Sequence, residues 1–260
     1  RWYEGTFANV EGGPMTFSPG SLTDDQVREV NARVHVMNEL IDEALGRVLD
    51  RIDARGWTAD TDVVFTTDHG ELQGDLGLLY KGPFHVEALM RLPCVWRPAP
   101  SAGVAPAEVT DPVGQVDLAP TFCTIAGVEP APWMQGRALP TVDGAGTHER
   151  ALCEWDSQFP GYGMHLRSIV RDGWLCTVYE ESTDGIPNGL ERAWGQGVLR
   201  PCGVHYEGTE GELYDLGEDP HQWHNRWDDP ALRATREDLV DDLRTSLPTE
   251  RRTLPVDAPA

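Results

Sequence analysis

Eight apolar residues spaced three and four apart, Val27, Val30, Val34, Met37, Ile41, Leu45, Val48 and Ile52, restrict this chain more than any other feature. Such spacing lays one apolar stripe along a long helix, which predicts a buried face. Ser21 or Thr23 stands where an N-cap belongs, Asp24 and Asp25 put negative charge in the first turn, and Gly56 ends the run. Val63-Val64-Phe65-Thr66-Thr67 follows, a β-branched and aromatic run of the kind found in a strand covered on both faces. With a further strand expected over 89–96 and a helix over 116–126, the order is that of an α/β sheet. Asp68 and His69 then fall at the carboxyl end of the strand, where open α/β sheets bind their ligands.

After about residue 145 the pattern shortens. Residues 151–155, 166–171 and 174–179 read as short strands, the last two joined by the tight turn Asp172-Gly173, so an antiparallel sheet is expected. Residues 181–210 are polar and Gly-rich and read as a surface excursion, 212–216 as a last strand, and 231–247 as a closing helix. Leu232, Leu239, Leu243 and Leu247 share one side of that helix. The first twenty residues are an irregular Gly- and Pro-rich lead-in, and the tail from Pro248 is Pro-rich. The expected division is an α/β unit over 1–145 and a smaller α+β subdomain over 146–260.

Bulk properties narrow the function classes. A chain of 260 residues with 40% hydrophobic content supports a sizeable core. Its 21 basic and 43 acidic residues give a net charge of -22, which disfavours nucleic acid and anionic membranes as partners. An anionic ester would also be repelled unless the site carries its own cations, such as a divalent metal and a lysine. Cys94, Cys123, Cys153, Cys176 and Cys202 are odd in number and form no Cys-x-x-Cys pair, so buried free thiols are expected and a zinc ribbon is not. No apolar run is long enough to span a membrane, no signal-peptide pattern opens the chain, and the compartment is not assigned.

Two clusters carry chemistry. Asp68 and His69, adjacent at a strand end before a glycine, offer a carboxylate oxygen and an imidazole to a divalent cation; a capping Asp beside a solvated His is the structural alternative. Glu71 reads either as a further ligand or as a cap on the following turn. Lys81 lies in the apolar and aromatic stretch Tyr80-Lys81-Gly82-Pro83-Phe84-His85 of a chain with few lysines. Held near a metal, it would be a fixed cation for a tetrahedral anion, with His85 donating a hydrogen bond or a proton. A lysine snorkelling from a loop with His85 packed beside it is the alternative.

The run from Asp62 through Asp68-His69-Gly70-Glu71, Gly74-Asp75 and Gly77-Leu78-Leu79-Tyr80-Lys81 to His85 resembles the sulfatase family of the alkaline phosphatase superfamily. Ile41-Asp42 ahead of Gly46-Arg47-Val48-Leu49, the segment Val116-Asp117-Leu118-Ala119-Pro120-Thr121, Met134-Gln135-Gly136-Arg137, and Glu212-Leu213-Tyr214-Asp215-Leu216 are similar to other parts of the same pattern. The resemblance implies an alkaline-phosphatase-like sheet with helices in 1–145, the C-terminal part of the catalytic domain, and an antiparallel sheet packed with a helix in 146–260. It implies a divalent metal, calcium with manganese as the alternative, at Asp68 and His69. Lys81 would bind the sulfate group, and His85 lies where related sequences carry an aromatic or a histidine. The implied partner is a small-molecule or carbohydrate sulfate ester.

Departures matter too. The family nucleophile is a Cys, oxidised to formylglycine, or a Ser, in Cys/Ser-x-Pro-x-Arg, and no Cys or Ser here begins that pattern. The remaining acidic ligands and the histidine that assists the leaving group are not identifiable, and Leu76 stands where many relatives carry His. The expectation is therefore part of a longer metal-dependent sulfatase, inactive alone, with formylglycine only in the missing N-terminal part. The alternatives are a phosphodiester or phosphonate monoester hydrolase of the same superfamily, and a non-catalytic binding module with this fold.

Overall fold

The computed structural model describes residues 22–82, 84–139, 148–156, 164–181 and 209–247. Helix α1 spans Asp24–Ala54 and starts as its sequence dictates: Thr23 Oγ1 accepts from the Gln26 amide at 3.3 Å, and Gln26 Oε1 accepts from the Thr23 amide at 2.9 Å. Gly56, at φ 72°, follows its C-cap. The buried face expected of this helix is not found, because α1 has no buried residue, and Met37, Leu40, Ile41 and Val48 are each more than half exposed. Periodicity creates an apolar face, but burial requires something packed on it. At the N-terminal turn Val27 does approach a neighbour, the loop at Gly74.

Strand β1 (Val63–Thr66) pairs antiparallel with β2 (Cys94–Arg97), Val64 opposite Trp96 and Thr66 opposite Cys94. Two expectations are corrected here. Phe65 is 38% exposed, so β1 is not covered on both faces by the described residues. The strand expected over 89–96 begins only at Cys94, and Glu87–Met90 instead forms the short helix α2. Pro93 explains the break: it lacks an amide hydrogen and pushes Leu92 out of the helical region. Leu89 serves as a core residue, packed with Leu72, Leu78, Phe84 and Val86. Helix α3 (Leu118–Ile125) follows a 3-10 turn at Gln115–Asp117. Its anchor is the buried Asp117 carboxylate, which accepts from the amides of Gly114 at 2.9 Å and Arg137 at 2.8 Å.

The second sheet has the order β3-β4-β5-β6, all antiparallel, from Ala151–Asp156, Met164–Arg171, Trp174–Glu181 and Gly211–Asp215. Asp172 and Gly173, at φ 53° and 80°, make the two-residue turn between β4 and β5 whose left-handed backbone matches strand twist. Period-two alternation sorts the side chains. Ile169, Cys176, Val178 and Leu213 face helix α4 (Arg233–Ser246) and pack against Leu239 and Leu243, with Leu232 and Leu247 at the margin. Cys153, Ser168 and Thr177 lie across from one another on the opposite face.

The cysteines differ from the expectation of buried thiols: all four described ones are free, but Cys94 is exposed and only Cys176 is buried. Cys202 and residues 182–208 of the expected 181–210 excursion lie outside the described residues. Trp155 and Trp174 pack against cores. No helix among the described residues is long and apolar enough to cross a membrane.

Candidate active site

Where β1 ends, the chain turns sharply over Asp68 to Gly70. Gly70 is required there: a Cβ would lie 1.9 Å from the Ala88 carbonyl oxygen, and the Gly70 amide donates to the Leu89 carbonyl at 2.9 Å. This contact ties the strand end to α2. The following loop folds back on itself, with the Leu72 amide donating to Tyr80 O at 2.9 Å and the Gly74 amide to Leu78 O at 2.8 Å. Gln73, Gly74, Leu76, Gly77 and Tyr80 all have positive φ within this loop. For Leu76, at φ 57°, that conformation costs about 1–2 kcal/mol, offset by packing its side chain on the Leu72 and Phe84 core.

The folded-back loop returns Lys81 to the strand end. Lys81 Nζ donates to His69 Nε2 at 2.7 Å, and the same nitrogen lies 3.4 Å from Asp68 Oδ2. His69 Nδ1 donates to the Gly70 carbonyl at 2.8 Å. A carbonyl only accepts and an ammonium only donates, so this tautomer carries its hydrogen on Nδ1 and turns the Nε2 lone pair to Lys81. Asp68 Oδ1 accepts from the His69 amide at 3.1 Å and the Thr67 hydroxyl at 3.2 Å. The Asp68 carboxyl is held below its ordinary pKa, first by its own backbone amide, then by the adjacent His69 and these donors. Gln115, which sequence reasoning did not single out, fixes the strand end by donating from Nε2 to the carbonyls of Thr67 at 2.7 Å and Asp68 at 3.0 Å. No sequence signal marks that pairing, which spans 48 and 47 residues.

Asp68 and His69 provide two adjacent donors of the type a divalent cation accepts, with the imidazole lone pair oriented by a second hydrogen bond. Among the described residues no three His, Cys, Asp or Glu side chains form a group that could hold a metal ion, so Glu71 does not complete the pair. Glu71 Oε1 is buried without a hydrogen-bond partner in the structure. Lys81 and the Asp68 side chain are exposed, and two clefts of about 320 and 390 Å³ beside Gly74 and Asp117 include none of Asp68, His69 and Lys81.

His85 lies apart from this cluster. It is buried, its Nδ1 shares a 2.6 Å hydrogen bond with Ser168 Oγ, and its Nε2 faces Cys153 Sγ at 3.5 Å. Ser168 Oγ in turn bonds Thr177 Oγ1 at 2.8 Å. Burial, reinforced by the nearby His165, lowers the imidazole pKa to about 4, so it is neutral at ordinary pH. The same burial, with the Glu154 charge, pushes the Cys153 thiol up to about 11, which excludes a reactive thiolate–imidazolium pair.

Residues 13–128 match the family described as Sulfatase. The chain is 29% identical over 141 residues to choline-sulfatase of Rhizobium meliloti (strain 1021), covering 53% of this chain and 27% of that protein. It is 27% identical over 242 residues to the multifunctional alkaline phosphatase superfamily protein PehA of Trinickia caryophylli, covering 90% of this chain and 42% of the relative. Among solved structures, the phosphonate monoester hydrolase of Agrobacterium radiobacter superposes with a TM-score of 0.70 at 23% identity, over 87% of this chain and 42% of that one. The chain thus spans less than half the length of each of these relatives.

Proposed function

The chain is a sulfatase relative within the alkaline phosphatase superfamily, and from that premise we propose that it supplies one side of the active site of a metal-dependent sulfuric ester hydrolase. The observation that carries this reading is the convergence of Asp68, His69 and Lys81 at the end of β1. Asp68 and His69 would hold a divalent metal, with calcium the preferred ion and manganese the alternative. A bound metal supplies positive charge that neutralises the ester and polarises an oxygen.

The chain's own residues contribute binding and orientation. Lys81, the only lysine in the sequence, would hold a non-bridging oxygen of the tetrahedral anion as a point charge. Its cation matters in a chain of net charge -22, which otherwise repels such a substrate. The Nδ1–H of His69, fixed on Gly70 O, keeps Nε2 free of a proton and directed at the shared position. Gln115 holds the two carbonyls at the strand end and so keeps Asp68 in place. No Cys or Ser opens Cys/Ser-x-Pro-x-Arg anywhere in the 260 residues. A formylglycine therefore has no seat in this chain, the attacking group lies elsewhere, and the chain does not turn over alone.

A second reading, hydrolysis of phosphonate monoesters or phosphodiesters, is favoured by the structural likeness to a phosphonate monoester hydrolase and the sequence likeness to PehA. Both ester classes present a tetrahedral anion to the same lysine and metal. The test is to read the coding sequence upstream of Arg1, express the polypeptide it extends to, and assay aryl sulfate, aryl phosphonate and aryl phosphodiester with calcium and with manganese. Aryl sulfate hydrolysis lost in Lys81→Met supports the first reading. Activity confined to the phosphorus esters overturns it in favour of the second, and a start codon directly before Arg1 with no hydrolysis favours a binding module.

A further inference from the structure

The segment carrying Lys81 is fastened at its far side to the antiparallel sheet. His85 enters the β3-β4-β5 face through Ser168 and Thr177 at 2.6 and 2.8 Å, with Cys153 Sγ 3.5 Å from its other nitrogen. Two residues on, the Glu87 amide donates at 2.6 Å to Oε1 of Gln222, a buried residue of the turn after β6. Around these ties, Phe84, Val86 and Leu89 pack into the core beneath the loop, and Leu89 O receives the Gly70 amide. One short stretch therefore touches the sheet, the loop core and the strand end that holds His69.

We propose that His85 is a positioning residue: through Ser168 and Thr177 it locks the Lys81 segment to the antiparallel sheet, and so sets where the lysine cation stands relative to His69. The inference rests on the reading of Lys81 as the anion-holding cation. It replaces direct contact between His85 and substrate, for which a buried ring engaged at both nitrogens has no free atom. A well-packed apolar ring could fill the same volume but could not bond Ser168, leaving a buried hydroxyl pair short of one partner. The antiparallel sheet thereby takes part in the site without contributing an atom to it.

Because Lys81 is the only lysine, a chain grown with 13Cε-lysine gives one side-chain signal in an NMR spectrum. In the wild-type chain that signal is expected away from the free-lysine position, and His69→Ala should return it there, which calibrates the contact. His85→Phe and Ser168→Ala should each remove at least half of the displacement, His85→Gln should restore most of it, and Leu239→Ala, on the sheet's other face, should leave it in place. The inference is overturned if His85→Phe leaves the signal unmoved, or if Leu239→Ala collapses it equally. In the extended, active polypeptide the expected loss in kcat/KM for His85→Phe is about 10–100-fold, as for other supports of site residues, with His85→Gln close to wild type. The NMR arm needs no substrate, so failure of the functional reading shows separately, as a wild-type lysine signal that sulfate and phenylphosphonate with calcium do not shift.

Discussion

Lys81 Nζ and His69 Nε2 stand 2.7 Å apart although twelve residues separate them in sequence. The contact exists because a loop with five non-helical positive-φ positions folds back along its own backbone, returning the lysine to the end of β1. A cation and an imidazole nitrogen thus meet at the strand end.

Removing either side of that point should be felt in catalysis more than in folding, since Lys81 is exposed and the His69 side chain is 36% exposed. If the proposed hydrolase activity is found, Lys81→Met and His69→Ala are each expected to lower kcat/KM by about 10²–10³-fold, the usual cost of losing one transition-state donor. The unfolding midpoint should change little. Lys81→Arg should recover only part of the loss, because a guanidinium differs in reach and shape from an ammonium.

His85 makes stability depend on pH. Its folded pKa of about 4 lies below the ordinary 6.5, so protonation favours the unfolded chain. The contribution is complete above pH 6.5, declines as the pH falls from 6.5 to 4, and is gone below that. For this shift it amounts to about 3 kcal/mol. Cys153 from β3 lies against the ring, and His165 from β4 acts on it through its charge. Denaturant unfolding at a series of pH values should show this slope in the wild-type chain and a flatter one in His85→Gln.

Gly70→Ala should destabilise the chain by about 1–3 kcal/mol or more, because the new methyl meets a backbone carbonyl oxygen rather than a movable side chain. Thermal unfolding measures the loss. Gly46→Ala, at an open position of α1, should instead raise stability by about 1 kcal/mol.

Thiol reactivity should separate the cysteines by environment. Burial pushes the Cys176 thiol up to about 12, and Cys153 reaches about 11, whereas Cys94 is exposed on β2. Alkylation of the native chain at pH 8, read peptide by peptide in a mass spectrometer, should label Cys94 before Cys153 and Cys176. Cys153 and Cys176 should react only as the chain opens.

Much of the local structure is legible in the residues. The Thr23 cap, the extent of α1, the strand ending at Asp68-His69, the three strands around Asp172-Gly173 and the leucine side of α4 all follow from period and capping chemistry acting over a few residues. Pro93 also wrote the end of α2 into the sequence, although the apolar run around it suggests a longer strand.

What periodicity could not reveal is which face meets which. The α1 stripe has the spacing of a buried face, yet it lies exposed among the described residues, because burial depends on a packing partner and not on the helix itself. His85 sits four residues after Lys81 and reads as its companion, but its hydrogen-bond partner is Ser168, 83 residues away. The sequence by itself determined the elements and the adjacent Asp68-His69 pair, since these depend on neighbours along the chain. Only the tertiary structure decided that Lys81 returns to His69 while His85 turns into the sheet, because a loop's direction is set by long-range core packing and backbone contacts that no local pattern encodes.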